Sequence, residues 1–198
     1  MTINYQNIEF LTSVAELTQL PPDEGTEVAF AGRSNVGKSS ALNTLTRKRN
    51  LARTSKTPGR TQLINLFELE PDKRLVDLPG YGYAKVSRSI KERWQKTLGQ
   101  YLENRNCLKG IVLLIDIRHP LKEFDAMMAE WAGQAQIPLH ILLTKADKLT
   151  RNHANKSVME KKKQLKDLPE VSIQTFSSVN KSGLEELEAQ LNTWFGSL

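Results

Sequence analysis

The chain has 198 residues, 39% of them apolar and 25% charged, with a formal charge of +6; that is enough for one domain with a full core, in a composition ordinary for a globular fold. Its lone cysteine, Cys107, excludes a disulfide framework and reads as a structural thiol in a reduced compartment. No apolar run approaches membrane-spanning length and the first residues carry no leader signature, so a cytoplasmic protein without a membrane partner is expected, and the positive excess permits a polyanionic one.

Residues 1–23 come before the first strong strand. Ile8–Leu11 and Val14–Leu17 read as a short strand or helix packed on the domain, ended by Pro21 and Pro22. They are expected to form an N-terminal extension, with one α/β domain over 24–198.

Glu27–Ala31 is a short apolar run and a buried strand by its pattern. Directly after it comes Gly32-Arg33-Ser34-Asn35-Val36-Gly37-Lys38-Ser39, which reads G-x-x-x-x-G-K-S, and a helix can continue from Ser39. Strand, glycine loop and helix start make a cradle of backbone N–H groups suited to phosphate. Lys38 should reach the β- and γ-phosphates and the Ser39 hydroxyl should hold Mg2+.

The stretch from Arg47 to Gln62 is strongly basic, lacks acids and reads as a mobile loop. Thr57 and Thr61 both have the chemistry to close over Mg2+. Its basic residues, Arg49, Arg53 and Lys56 among them, suit nucleic acid as well as plain solvation. Gln62–Leu69 alternates at period two and reads as half-buried or near an edge. Pro71-Asp72 turns it into Arg74–Asp77, an antiparallel pair beside a parallel core. Asp77-Leu78-Pro79-Gly80 then gives D-x-x-G at a strand end, where a carboxylate can hold Mg2+ through water and a glycine N–H can sense a γ-phosphate.

Ser89 is a candidate cap for a helix with Ile90, Trp94, Leu98, Tyr101 and Leu102 on one face. Ile111–Asp116 and Leu139–Thr144 read as central strands, and Leu121–Ala135 as a helix with Phe124, Met127, Met128 and Trp131 inward. Thr144-Lys145-Ala146-Asp147 follows the second strand. A carboxylate at Asp147 can accept from the guanine N1–H and amine, a donor pair that adenine lacks. Ala154–Leu168 reads as a basic helix bearing Lys156, Lys161, Lys162, Lys163 and Lys166, and Val171–Phe176 as the last strand. In Phe176-Ser177-Ser178, small residues let a backbone N–H approach the guanine oxygen. Ser182 opens a final helix with Leu184, Leu187, Leu191 and Trp194 as its apolar face. His140 reads as a core or surface histidine, His119 as a loop residue and His153 as a helix-start residue.

Taken together, G-R-S-N-V-G-K-S-S at 32–40, K-T-P-G-R-T-Q at 56–62, D-L-P-G-Y-G-Y-A at 77–84, D-I-R-H-P at 116–120 and T-K-A-D at 144–147 resemble the EngB (YihA/YsxC) family of bacterial GTPases, in the TrmE–Era group. The resemblance runs from about Glu24 to Phe195. It implies a Ras-like α/β fold: a six-stranded, mostly parallel sheet with one antiparallel edge strand and helices on both faces. It implies contacts to GTP or GDP from Gly32 to Ser39, from Gly59, Arg60, Thr61, Gln62 and Leu63, and from Asp77 to Gly80. Thr144, Lys145, Ala146 and Asp147, with Phe176, Ser177 and Ser178, would complete them. Lys38, Thr61 and Gly80 would be catalytic, with Ser39 and Thr61 as metal ligands. Such a protein hydrolyses GTP slowly with Mg2+, acts in assembly of the large ribosomal subunit and is needed for normal cell division and septation; a monomer is expected. Tyr81 stands where Ras-type enzymes place a water-positioning glutamine. Asn35 resembles the asparagine with which TrmE–Era relatives hold K+. Two other classes stay open on the sequence alone. One is an RNA-binding adaptor in which nucleotide only stabilises the fold. The other is a protein that contacts the division machinery directly.

Overall fold

The computed structural model describes residues 3–52, 63–82 and 88–196, without the side chains of 88–91 and 93. Gly59, Arg60, Thr61 and Gln62, with Arg53, Lys56 and Thr57, lie outside the described residues.

The strands are β1 (Glu9–Val14), β2 (Thr26–Gly32), β3 (Ile64–Glu70), β4 (Lys73–Asp77), β5 (Leu108–Asp116), β6 (Leu139–Thr144) and β7 (Val171–Thr175). The helices are α1 (Lys38–Thr46), α2 (Arg88–Asn104), α3 (Glu123–Gln134), α4 (Arg151–Gln164) and α5 (Leu184–Trp194). One sheet has the order β1-β3-β4-β2-β5-β6-β7. Only β3 runs against the rest, antiparallel to both β1 and β4.

The fold class is the expected one, with seven strands in place of six. The extra strand is β1, which hydrogen-bonds along β3 with a bulge between Phe10 and Thr12. The antiparallel strand is therefore flanked on both sides and is not the edge. Leu66 and Phe67 point to opposite faces and are both buried because each face is covered, Leu66 in one core cluster and Phe67 in the other. Phe10 packs its ring edge on Phe67, with centroids 5.9 Å apart.

Helix starts also differ from the pattern reading. Ser89 lies inside α2, which begins at Arg88. At α5 the cap position is Gly183, with φ 78, and not Ser182. A β-carbon there would fall 2.2 Å from the Thr175 carbonyl oxygen, so the chain can turn here only with glycine. At α4, Thr150 caps the helix by accepting from the His153 N–H.

The pleat of β2 divides the core. Ala29 and Ala31 face α2, α3 and α4 through Leu98, Tyr101, Phe124, Met128 and Ala154. Val28 and Phe30 face α1 and α5 through Leu42, Leu45, Leu187 and Leu191. Both faces being covered explains why β2 and β5 read as continuous apolar runs.

At the end of the sheet away from the glycine loop, buried Glu27 accepts from Arg74 Nε at 3.0 Å, Arg105 Nη2 at 2.6 Å, Arg105 Nε at 3.0 Å and Tyr101 at 3.1 Å. Burial alone would raise its carboxyl, but the two arginines outweigh burial and hold it below the usual range. Cys107 is buried beside this cluster and its thiol is pushed up to about 12, chiefly by burial. His140 is buried too, bonded to Ser172 at 2.7 Å and Gln174 at 2.8 Å. Both residues are structural here.

Candidate functional site

The parallel strands β2, β4, β5 and β6 end on the same side, and the loops leaving them meet there. The loop from β2 to α1 needs two left-handed residues, Asn35 at φ 62 and Gly37 at φ 102. Gly32 is required for a different reason. A β-carbon there would stand 2.9 Å from Val36 and 3.0 Å from the Leu114 carbonyl oxygen. The loop thus folds tightly over β5, and its N–H groups and the start of α1 surround one small space.

That loop is held from two sides. On the β4 side, Ser34 N–H donates to Tyr81 O at 2.9 Å and Tyr81 N–H donates to Gly32 O at 3.3 Å. Leu78 N–H donates to Phe30 O at 3.0 Å, which carries the strand pairing onward to Pro79 and Gly80. The Cβ position of Gly80 lies 3.5 Å from Ser34. On the β6 side, Thr144 Oγ1 donates to Val36 O at 2.6 Å and Lys145 Nζ donates to Asn35 O at 2.8 Å.

Lys38 and Asp77 form an ion pair with little exposure on either side chain. Asp77 also accepts from Asn65 at 3.5 Å. The donors fit a hard divalent cation: the Ser39 hydroxyl follows Lys38 in the first turn of α1, and the Asp77 carboxylate already meets Lys38. Among the described residues, no three His, Cys, Asp or Glu side chains gather around one point. A cation here would take its other oxygens from phosphate and water.

The residues expected to read guanine converge as well. Ala146 N–H donates to Phe176 O at 3.1 Å, tying the T-K-A-D turn to the end of β7. Ser177 Oγ donates to Asp147 Oδ1 at 2.7 Å, and Lys148 pairs with Oδ2 at 3.3 Å. Those hydrogen bonds, Ser177 first, hold the Asp147 carboxyl below its ordinary range, so it is an acceptor at neutral pH. Ser178 follows at partial exposure.

Pattern reasoning left two carboxylates, Asp116 and Asp125, out of the site. Asp116, at the end of β5, is 8% exposed and accepts from Arg118 Nε at 2.9 Å, Arg118 Nη2 at 2.7 Å and Lys145 Nζ at 2.9 Å. Burial would raise its carboxyl, but these cations hold it well below the usual range. Its signal was a carboxylate ending an apolar strand. Thr144 was expected as a nucleotide contact; that its hydroxyl locks the glycine loop had no local signal. Asp125 on α3 accepts from the Tyr81 hydroxyl at 2.7 Å and from Lys122 N–H at 3.0 Å.

The comparisons with known proteins agree with this geometry. A family model described as 50S ribosome-binding GTPase matches residues 27–145. Probable GTP-binding protein EngB from Mannheimia succiniciproducens is 57% identical over 199 residues, covering 99% of this chain and 96% of that protein. The Aeromonas salmonicida counterpart is 56% identical, covering 98% and 90%. The chain belongs to the EngB family of GTP-binding proteins. Its catalytic class is that of a GTPase. A crystal structure of a probable GTP-binding protein EngB superposes with TM-score 0.72 at 22% identity, over 87% of this chain and all of that one. The structure of Era in complex with MgGDPNP and nucleotides 1506–1542 of 16S ribosomal RNA has TM-score 0.63 at 20% identity, over 86% and 57%. At these identities the two structures speak for the fold.

Within that family fold, Tyr81 is turned away from the phosphate space. It is 4% exposed, stacks on Phe124 with centroids 5.1 Å apart and touches Trp94. Burial, then the Asp125 charge, pushes its hydroxyl well above the ordinary tyrosine range. It is an anchor for the segment after β4. Tyr81→Phe should lower stability by about 1.5–3 kcal/mol, because a buried carboxylate loses a donor. GTP turnover should stay within about twofold, since no step needs that hydroxyl. Urea unfolding and steady-state turnover together check this, and a large fall in turnover with intact stability would make Tyr81 part of the chemistry.

Proposed function

We propose that the chain is a GTP-driven switch that binds the large ribosomal subunit or its precursor, hydrolyses GTP slowly using Mg2+, and supports normal cell division through that work. One observation carries the switch: the phosphate loop shares hydrogen bonds with Tyr81, the residue directly after D-L-P-G, from Ser34 N–H to Tyr81 O and from Tyr81 N–H to Gly32 O. A γ-phosphate that recruits the Gly80 N–H must pull on those bonds, so its loss can be passed to the chain after β4. Lys38 would leave Asp77 for the phosphates, and the freed carboxylate would face the water shell of the metal held by Ser39 and Thr61. Mg2+ there supplies charge neutralisation on the β- and γ-oxygens. With Tyr81 committed to Asp125, the residue after D-x-x-G orients no water, which supports a low intrinsic rate. The ribosomal part rests on the description of the matching family and on the basic charge of the chain. A cytoplasmic monomer suits that work.

Base recognition falls to Asp147, already fixed as an acceptor by Ser177. Asp147→Asn should weaken GDP binding by roughly 100-fold and improve XDP binding, because an acceptor becomes a donor. Competition titration with both nucleotides reads this, and unchanged GDP affinity would remove Asp147 from base recognition.

The exposed, left-handed Asn35 supports the K+ reading: its side chain is free to reach a cation at the rim of the loop. GTP turnover should be faster in K+ than in Na+ at matched ionic strength, and the difference should vanish in Asn35→Ala. Equal rates in the two salts would remove the cation from the mechanism.

The ribosomal reading is tested by sedimenting the chain with large subunits in a non-hydrolysable GTP analogue and in GDP. Co-sedimentation should be several-fold stronger with the analogue. Equal pelleting in both states would leave an adaptor whose nucleotide only stabilises the fold.

A further inference from the structure

A cleft of about 290 Å³ lies against the outer wall of the phosphate loop, between that loop, the end of β5 and the connection from β5 to α3. Arg33, Ser34, Asn35 and Val36 form one wall, but Lys38, Ser39, Asp147 and Ser177 do not line it. It shares Arg33 to Val36 and Lys145 with the expected nucleotide contacts and adds residues from the end of β5 and the start of α3 that are not among them. The D-I-R-H-P motif, which nucleotide binding leaves unused, supplies the other wall.

The charges in this cleft do not cancel. Arg33, Arg118, Lys122 and Lys145 are four cations, and Asp116 and Asp125 are two anions. Both carboxylates are already engaged. Asp116 is held by Arg118 and Lys145, and Asp125 by the Tyr81 hydroxyl and the Lys122 N–H. The cations keep donors in hand. Lys145 uses two of its three N–H bonds, on Asn35 and Asp116, and Arg118 presents one edge of its guanidinium to Asp116. The connection from β5 to α3 is also tied down from α4. Ser157 Oγ on α4 donates to the Ile117 carbonyl at 2.9 Å and is itself bonded by buried Lys161 at 2.9 Å. A preformed concave site with unused donors and a net charge of about +2 suits a phosphate monoanion or dianion.

We propose that this cleft seats a backbone phosphate of ribosomal RNA against the back of the phosphate loop. The inference rests on the ribosomal reading above and gives it a point of attachment. RNA is favoured over an acidic protein by what surrounds the cleft. Exposed His119 offers a flat face for a base or ribose at its rim. Through Ser157 the cleft adjoins α4, whose exposed Arg151, Lys156, Lys162 and Lys163 continue the positive field. A spread of cations matches the repeating charge of a nucleic acid better than one carboxylate. RNA held here would press on Asn35 and Ser34, the same residues whose backbone shapes the nucleotide side.

The test uses the full chain, purified large subunits, and the RNA extracted from those subunits, at two salt concentrations. Lys122→Glu reverses an exposed charge at the start of α3, and the backbone N–H of residue 122 still donates to the Asp125 carboxylate. It should weaken binding to subunits and to naked RNA about tenfold, and flatten the salt dependence by about 0.7–0.9 in log–log slope for each phosphate no longer neutralised. GDP affinity should stay within twofold. Arg118→Gln should act in the same direction on RNA. Unchanged affinity and slope in Lys122→Glu, with wild-type binding intact, overturns the cleft and leaves the ribosomal reading standing. Loss on subunits but not on naked RNA assigns the cleft to a ribosomal protein and overturns the RNA assignment. Failure of the wild-type chain to bind either overturns the ribosomal reading and the cleft together.

Discussion

A loop that must present N–H groups to a phosphate can spend few of them on holding itself. The chain uses the Ser34 and Val36 N–H groups, on Tyr81 O and Arg33 O, and grips the rest of the loop through its carbonyls. Val36 O is bound by Thr144, Asn35 O by Lys145 and Gly32 O by Tyr81. These donors come from the ends of β6 and β4, so the loop keeps its shape only while β2, β4 and β6 stay in register. The bonds from β6 put the T-K-A-D turn and the phosphate cradle on one rigid frame.

Charge placement follows the same rule of shared partners. Lys38 and Asp77 neutralise each other beside the cradle, which keeps two poorly exposed charges satisfied. Asp116 does the same for Lys145 and Arg118 at the end of the neighbouring strand. Glu27 binds Arg74 and Arg105 at the opposite end of the sheet. No buried side-chain nitrogen or oxygen among the described residues lacks a partner, so the ionic groups brace the sheet at both ends without leaving an uncompensated charge.

The sheet also solves an edge problem. β3 is the one strand that runs against the others, and a bare β3 would present a long unpaired ladder. β1 covers it and is itself broken by a bulge, with Glu9 outermost and exposed. Segment 3–14 is thereby tied into the core through Ile3, Tyr5, Ile8 and Val14.

The local pattern of the chain determined a great deal. G-x-x-x-x-G-K-S, D-x-x-G and T-K-A-D each announce a strand end followed by a loop of set chemistry, because phosphate and guanine demand those groups in that order. Apolar runs marked β2, β5 and β6, because a strand covered on both faces has room for a polar residue only where it is fully hydrogen-bonded, as Glu27 and His140 are. What the sequence could not decide is who touches whom across the ends of the sheet. Nothing near Tyr81 predicts Asp125, 44 positions on, and nothing near Thr144 predicts the Val36 carbonyl, 108 positions back. Such pairs have no periodicity to betray them. The seventh strand belongs to the same class: Phe10 and Leu11 are ambiguous until β3 stands beside them. Tertiary structure settled these points because a hydrogen bond is specified by where the sheet register brings its two ends, and register is a property of the whole fold.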